Sequence, residues 1–439
     1  MAGNEAHKSK SSKSTETVKL VGDMVKWCYA RAWEAKQRED MNVAWCMMNT
    51  PQEILLAMDI VPMFPEQYSA ACASKQATDV YCDRAEAEGF SVDVCGFCRT
   101  GLGYALTYME MDGVPPDAPY GGIPKPDMLI GRSSCDPGYK WFQSLYRWNI
   151  PTFIYDDLTP LLEKPLTDKK MAAQYITYYH EQLKEMVNFL ERVTGRKMDW
   201  DKFNRVLEIS RETQRLAYEV NMLRKAVPSP MATEDHMATV FPFWILSGTE
   251  QALEFGRKLY DEVRYRVDNN ISAIENEKYR LLWMGVAPYH QMDIYNYFES
   301  LGAVFAIETE YMSFPPYDTD PSNPLESFAQ KEYWAGRSHI IRPLMGGSKL
   351  GDTRIDIPAE LLLELIRDYR INGVVVYSVR SCRVLSIGYL RLKQMLEKYL
   401  NVPVMFLEGD MADARNYSEV ETKDMIDTFM DIVVASDKT

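Results

Sequence analysis

The chain has 439 residues, 46% of them hydrophobic and 26% charged, which is typical of a globular protein with two or three domains. Its formal net charge of -14 argues against a protein that binds nucleic acid or an anionic membrane. No apolar run approaches the roughly 18 residues of a membrane span, and the N-terminus lacks the apolar segment of a signal peptide. We therefore expect a cytoplasmic protein.

The first part of the chain predicts a tail followed by an α/β domain. Residues 1–20 are rich in Lys and Ser, and we expect them to form a disordered tail. Apolar strand-like runs then alternate with helical patterns, which predicts an N-terminal α/β domain over 21–160. The predicted elements are helices over 21–37, 53–58 and 138–148, and strands over 42–45, 60–64, 126–135 and 151–155.

A helical segment and a second α/β domain follow. Over 161–272, apolar residues such as Leu183, Met186 and Leu190 recur at helical spacing with charges opposite. Strands and helices alternate again over 273–439, which predicts a second parallel sheet. The predicted elements there are strands over 280–286, 303–308, 373–382 and 402–407, and helices over 292–300, 358–369 and 384–400.

Two cysteines share the same setting in these two domains. One apolar run ends in Ser134-Cys135 and another in Ser381-Cys382, and each is followed by a helical stretch and a further strand. In open α/β sheets, ligands bind just beyond the carboxyl ends of the strands. The repeat therefore suggests an inorganic cofactor shared between the two domains.

A third cysteine site, Cys95-Gly96-Phe97-Cys98, is a CxxC pair, which is found in zinc sites, redox dithiols and iron–sulfur sites. A closed zinc site needs four ligands, usually from two such pairs. A thioredoxin-like site would need neither Cys135 nor Cys382, whereas a cluster takes thiolates from distant loops. The remaining cysteines are expected to pack in the core; they are Cys28, Cys46, Cys72 and Cys82.

Six segments, taken together and in order, resemble a known superfamily. They are Phe64-Pro65-Glu66-Gln67, Asp93 to Arg99, Ser133-Ser134-Cys135-Asp136, Glu277 to Leu281, Arg380-Ser381-Cys382, and Glu408 to Arg415. The superfamily is that of the 2-hydroxyacyl-CoA dehydratases and benzoyl-CoA reductases. The resemblance covers nearly the whole chain apart from the tail.

The resemblance implies an α/β fold of two flavodoxin- or Rossmann-like domains with parallel sheets, plus a helical segment. It also implies a [4Fe–4S] cluster in the cleft between the domains, bound by Cys95, Cys135 and Cys382, with one iron lacking a protein ligand. Cys98 lies outside these three positions and is either an extra ligand or a packing residue, with packing favoured. Glu66 matches a family position near the substrate, where a carboxylate moves protons.

The implied activity is the transfer of low-potential electrons, one at a time, to an acyl-CoA thioester, which becomes a ketyl radical anion. The implied partners are an acyl-CoA substrate, a paralogous cluster-bearing subunit in a heterodimer, and an ATP-hydrolysing iron–sulfur activator. The chain has no G-x-x-x-x-G-K-[ST] loop, so nucleotide hydrolysis is expected of the activator.

One departure from the family pattern separates the candidate reactions. Family dehydratases often carry serines after the Trp that ends a strand, but here Trp45 is followed by Cys46, Met47 and Met48. This difference favours reduction of an aromatic acyl-CoA of the benzoyl-CoA type. The alternatives are a 2-hydroxyacyl-CoA dehydratase subunit and a subunit that only transfers electrons; a zinc-stabilised scaffold is disfavoured.

Overall fold

The computed structural model describes residues 14–133, 135–156, 169–316, 318–335, 358–386, 393–394, 396 and 402–436. Within these residues the strands form two four-stranded sheets, and every pair of neighbouring strands is parallel. The first sheet contains β1 (Asn42–Cys46), β2 (Ile60–Met63), β3 (Met128–Arg132) and β4 (Thr152–Tyr155). The second contains β5 (Tyr279–Met284), β6 (Ala303–Glu308), β7 (Gly373–Val379) and β8 (Val404–Gly409).

The two sheets have the same topology. Their strand orders are β2-β1-β3-β4 and β6-β5-β7-β8, so the direction of winding reverses between β1 and β3 and between β5 and β7. Such reversal points are where doubly wound α/β folds bind ligands. The predicted α/β fold with two parallel sheets is confirmed, and both sheets have the strand order of flavodoxin-like doubly wound domains.

Helices cover these sheets and form the segment between them. Around the first sheet lie α1 (Val21–Ala35), α2 (Gln52–Ala57), α3 (Pro65–Ser74), α4 (Asp79–Ala87), α5 (Gly96–Met111) and α6 (Asp136–Lys140). The intervening segment contains α7 (Lys169–Thr194), α8 (Trp200–Leu223), α9 (Thr233–Val240) and α10 (Glu250–Asp268). The last part contains α11 (Asp293–Ser300), α12 (Pro324–Ala335), α13 (Pro358–Asp368), α14 (Arg383–Ser386) and α15 (Glu419–Ser436).

The helical segment shares its hydrophobic core with the first sheet. One cluster of buried side chains includes Val43 and Ile130 from the strands together with Leu183, Phe203 and Leu259 from the helices. These helical residues repeat on one face, because apolar positions three or four apart lie on the same side of a helix.

A buried ion pair joins the helical segment to the second sheet. Arg224, just after α8, donates to both carboxylate oxygens of Glu308 at 2.7 and 2.8 Å, and neither side chain is exposed. Burial alone would raise the pKa of Glu308, but Arg224 and His236 hold it well below its usual range. Removing one partner of such a pair leaves an uncompensated buried charge, so the pair fixes this junction.

The boundary at the predicted tail differs from the expectation. Residues 17–20 form a 3-10 helix, and Thr15 donates to Asp235 through both its amide and its hydroxyl, at 2.6 and 3.0 Å. The tail prediction is therefore wrong for residues 14–20, while residues 1–13 lie outside the described part. Most of the predicted helix over 384–400 also lies outside it. No described helix is both long enough and apolar enough to cross a membrane.

Candidate functional site

Exposure divides the eight cysteines into two groups. Cys95, Cys135 and Cys382 are half-buried, and the other five are buried. The half-buried three are the predicted cluster ligands. Burial raises the pKa of Cys28 and Cys72 to about 12 and that of Cys82 to about 11, as for thiols packed in a core.

The three half-buried cysteines all lie where a helix begins. Cys95 directly precedes α5, Cys135 follows β3 and precedes α6, and Cys382 follows β7 and precedes α14. The amide of Gly138 donates to Cys135 Sγ at 3.4 Å, and backbone amides of the following turn lower the pKa of Cys95 and Cys382 against the effect of burial. Because β3 and β7 hold the same place in their sheets, the predicted repeat of Cys135 and Cys382 has a structural counterpart.

The structure brings these three cysteines together. Cys382 is close enough to Cys95 to raise the pKa of that thiol, and Cys135 in turn raises the pKa of Cys382. Cys98 is 2% exposed on the first turn of α5, and burial raises its pKa well above the usual value. One site therefore gathers thiols from both sheets.

Acidic side chains surround the thiols. After burial, the side-chain charges that raise the pKa of Cys95 include Asp410 and Glu66, and Glu310 contributes at Cys382. Thiols and carboxyl groups gathered in this way would be complemented by a cationic centre.

The donor set can be compared with known metal groups. Among the described residues, no three or more His, Cys, Asp and Glu side chains lie at the spacing of ligands to one metal ion. In an iron–sulfur cluster each thiolate binds a different iron, so the ligands need not meet at one point. Three half-buried thiols with backbone amides directed at them fit such a group.

Glu66 lies beside these thiols in the first turn of α3, after β2. Its carboxylate accepts a hydrogen bond from the amide of Met48 at 2.5 Å, and the positive charge of Arg132 acts on the same carboxylate. Burial raises the pKa of Glu66, and the amide and Arg132 only partly offset this effect. A carboxyl group in this environment holds its proton to a higher pH than an exposed one.

Glu310 is a second carboxyl group at the site, and the sequence patterns do not predict it. It follows β6 by two residues and is half-buried, and burial raises its pKa. Its position just beyond a buried strand could have identified Glu310 as a candidate site residue, because the carboxyl ends of parallel strands meet at one edge of the sheet.

The loop after β8, residues 410–413, connects the two domains. Thr78 donates to the carbonyl of Ala412 at 3.0 Å, and Arg99 pairs with Asp413 at 2.9 Å. Nearby, the rings of Phe97 and Tyr289 meet across the domains at 5.9 Å. This loop, which belongs to the motif over 408–415, thus joins the two domains.

These features define a class of protein: a two-domain α/β protein whose parallel sheets direct thiols and carboxyl groups into one interdomain site. Within that class, the chain belongs to the family described as 2-hydroxyglutaryl-CoA dehydratase, D-component, whose family model matches residues 47–433.

Three relatives show the range of activities in the family. The chain is 28% identical to the alpha chain of (R)-phenyllactyl-CoA dehydratase from Clostridium sporogenes, over 92% of each chain. It is 25% identical to one of the subunits of benzoyl-CoA reductase from Thauera aromatica, over 94% of this chain and 93% of that one. It is 23% identical to the alpha chain of (R)-2-hydroxyglutaryl-CoA dehydratase from Acidaminococcus fermentans, over 96% and 98%. The predicted superfamily is confirmed, and its members include both dehydratases and a reductase.

Proposed function

We propose that this chain is the cluster-bearing subunit of an acyl-CoA enzyme that reduces its substrate by single-electron transfer. The observation that carries the proposal is the convergence of three half-buried thiols, each at the start of a helix, from both domains. Cys95, Cys135 and Cys382 would hold a [4Fe–4S] cluster with one iron left without a protein ligand. Such a cluster, when bound, supplies low-potential electrons one at a time.

The chain's own residues would support this chemistry in three ways. Burial raises the pKa of Cys95 and Cys382, and backbone amides at the helix starts partly offset this rise. Burial raises the pKa of Glu66, so its carboxyl would keep a proton to a higher pH than an exposed one and could deliver that proton to the substrate. The rings of Phe97 and Tyr289 lie against each other across the two domains, which would limit the access of water to the site.

The metal content tests the ligand assignment. Protein purified without oxygen should be brown and contain about four irons per chain. Cys135→Ser and Cys382→Ser should lose the colour, while the buried-thiol controls Cys82→Ser and Cys98→Ser should keep it. A colourless protein containing zinc would contradict the assignment.

The proposed reaction is ring reduction of a benzoyl-CoA-type substrate. Residues 46–48, directly after Trp45, include no serine, and the next hydroxyl along the chain, that of Thr50, donates to the carbonyl of Met47 at 2.7 Å. The segment facing Glu66 therefore offers its amide, on Met48, rather than a free hydroxyl. The lack of hydroxyls in residues 46–48, where family dehydratases often carry serines, favours the reductase.

Dehydration of a 2-hydroxyacyl-CoA is the second candidate, because relatives of 23–28% identity carry dehydratase names. We further propose that the chain pairs with a paralogous cluster-bearing subunit and receives electrons from an ATP-hydrolysing iron–sulfur activator. The relatives are themselves named as subunits, which supports an assembly of more than one chain.

Substrate assays separate the candidates. The holoprotein, combined with partner subunit, activator, ATP and reductant, should consume benzoyl-CoA with net uptake of electrons. Redox-neutral loss of water from (R)-phenyllactyl-CoA would favour the dehydratase instead. If neither acyl-CoA alters the electron paramagnetic resonance spectrum of the cluster, the chain is an electron-transfer subunit.

A further inference from the structure

One serine hydroxyl connects the segments that carry two of the half-buried cysteines. The amide of Gly96, next to Cys95, donates to Ser381 Oγ at 3.1 Å. Ser381 directly precedes Cys382, and its hydroxyl donates to Asp410 Oδ2. Ser381 and Asp410 are each 8% exposed, so this chain of hydrogen bonds is shielded from water.

Asp410 is itself held in place from several directions. Its Oδ1 accepts the amides of Ala412 and Asp413 at 2.9 and 3.0 Å, and its carbonyl accepts the hydroxyl of Tyr377 at 2.9 Å. His290 Nε2 also lies 2.9 Å from that carbonyl. A carboxylate with this many fixed partners makes a rigid acceptor for Ser381.

Gly96 allows the two domains to approach at this point. A Cβ added there would lie 2.3 Å from Asp410 Oδ1 and 3.4 Å from the Cβ of Ala412. A side chain at position 96 would therefore push the start of α5 away from the loop after β8. The glycine at position 96 and the hydrogen bond from its amide to Ser381 therefore both keep the start of α5 close to the second domain.

We infer that Ser381 and Asp410 are positioning residues that hold Cys95 and Cys382 at a fixed separation across the two domains. This inference rests on the proposed function, in which both cysteines bind one cluster. Asp410 also places a negative charge beside Cys95, and a negative charge near a cluster disfavours the addition of an electron. The pair therefore sets both the geometry of the two thiols and the low potential of the site.

The geometric part can be tested without a cluster. In anaerobic apoprotein carrying Cys135→Ser, diamide should join Cys95 and Cys382 in a disulfide that mass spectrometry detects. Ser381→Ala should slow its formation several-fold, whereas Ser381→Thr, which keeps the hydroxyl, should form it at close to the rate of the Cys135→Ser parent. Ser133→Ala is the matched control, since that serine also lies near a site cysteine but bonds Asp156 at the surface.

The electrostatic part is tested on the reconstituted holoprotein. Asp410→Asn keeps the shape of the side chain and removes its charge, so the midpoint potential of the cluster should rise. A role limited to supporting the fold would lower the melting temperature and leave the potential unchanged.

The geometric part would be overturned if Ser381→Ala formed the disulfide at the rate of the Cys135→Ser parent. The electrostatic part would be overturned if Asp410→Asn left the midpoint potential unchanged. If Ser381→Ala does not fold, the disulfide rate in Asp410→Asn decides the geometric part, because this change weakens the same bond. If the native protein binds no cluster, the proposed function fails, yet the apoprotein rates still show whether the pair positions the cysteines.

Discussion

Replacing Glu66 with glutamine removes the acidic proton of the side chain and keeps its packing. The amide of Met48 donates to its carboxylate, and a glutamine oxygen would accept the same hydrogen bond. Because burial raises the pKa of Glu66, we expect its carboxyl to keep a proton to a higher pH than an exposed one and to act as a proton donor in catalysis. Glu66→Gln should lower turnover roughly 10²- to 10⁴-fold and leave the iron content unchanged.

Turnover and iron should be measured on the same preparation of Glu66→Gln. Glu34→Gln is the control, because Glu34 lies on the exposed face of α1 and makes only a 3.6 Å ion pair with Arg38. Full activity in Glu66→Gln would show that this carboxyl transfers no proton in the rate-limiting step.

Glu299, on α11, makes the stability of the protein depend on pH. Burial, followed by the nearby charges of Glu234 and Asp235, raises its pKa to about 7, although the amide of Thr233 partly opposes this. A carboxyl with a raised pKa contributes its stability at low pH and loses it as the pH rises through the folded-state value. Between pH 5 and 8.5, wild-type protein should lose on the order of 2 kcal/mol relative to Glu299→Gln.

Thermal unfolding of both proteins across this pH range measures the difference. The two curves should diverge as the pH rises from about 4.5, where Glu299 ionises in the unfolded chain, to about 7, where it ionises in the folded protein, and their difference should stay constant above that pH. Parallel curves for the two proteins would contradict the assignment of the effect to Glu299.

The sequence could predict which cysteines lie at strand ends, but it could not predict the hydrogen bonds that position them. Cys135 and Cys382 stand out because each follows an apolar strand. The carboxyl end of a parallel strand borders the crevice where ligands bind, so a residue there is less often part of the core. The link through Gly96, Ser381 and Asp410 joins residues that are distant in the chain. No local pattern marks such a contact, since hydrogen-bond partners across domains are set only by the folded arrangement.

At the level of the helix, α5 packs closely because it carries glycines on its buried side. A Cβ at Gly103 would lie 1.8 Å from the carbonyl oxygen of Tyr81 in α4, and one at Gly101 would lie 2.0 Å from the ring of Trp141. Gly101 and Gly103 therefore allow close packing of α5. The segment lacks the third glycine of the G-x-G-x-x-G dinucleotide-binding motif.

Gly103→Ala should separate α4 from α5 and destabilise the protein by about 1–3 kcal/mol, as overpacking does. Gly22→Ala is the matched control, since position 22 lies within α1 with no atom within 4 Å of the added Cβ. Alanine favours a helix, so this variant should be neutral or more stable by up to about 1 kcal/mol. Urea unfolding of both variants measures the difference, and equal stabilities would contradict the packing role.

The elements that the sequence predicts best are those with a clear apolar period. The strand predicted over 303–308 matches β6, and the helix predicted over 292–300 matches α11 within one residue. By contrast, α3 is buried along most of its length and shows no polar face, so no period reveals it. Within the helical segment predicted over 161–272, α7 ends just before Gly195, which has a φ of +70°.

For the whole molecule, a charged network holds the two domains around the site. Asp413, 5% exposed, pairs with Arg99 at 2.9 Å and with Arg415 at 2.7 Å. Glu86, on α4, binds both arginines from the other side, at 2.6 Å in each case. Burial alone would raise the pKa of Asp413, but the two arginines hold it well below its usual range. The carboxylate thus stays charged at neutral pH and ties the second domain to α4 and α5.

Asp413→Ala should therefore weaken the joint between the domains as well as the overall fold. Because Arg99 is 2% exposed, it would keep only Glu86 as a charged partner, and we expect a loss of about 3 kcal/mol. Asp83→Ala removes the exposed partner of Arg415 and should cost less than about 1 kcal/mol. Calorimetry should then show one unfolding transition for Asp83→Ala and a broadened or divided one for Asp413→Ala. A single, equally stable transition in both variants would mean that packing, rather than this network, holds the two domains together.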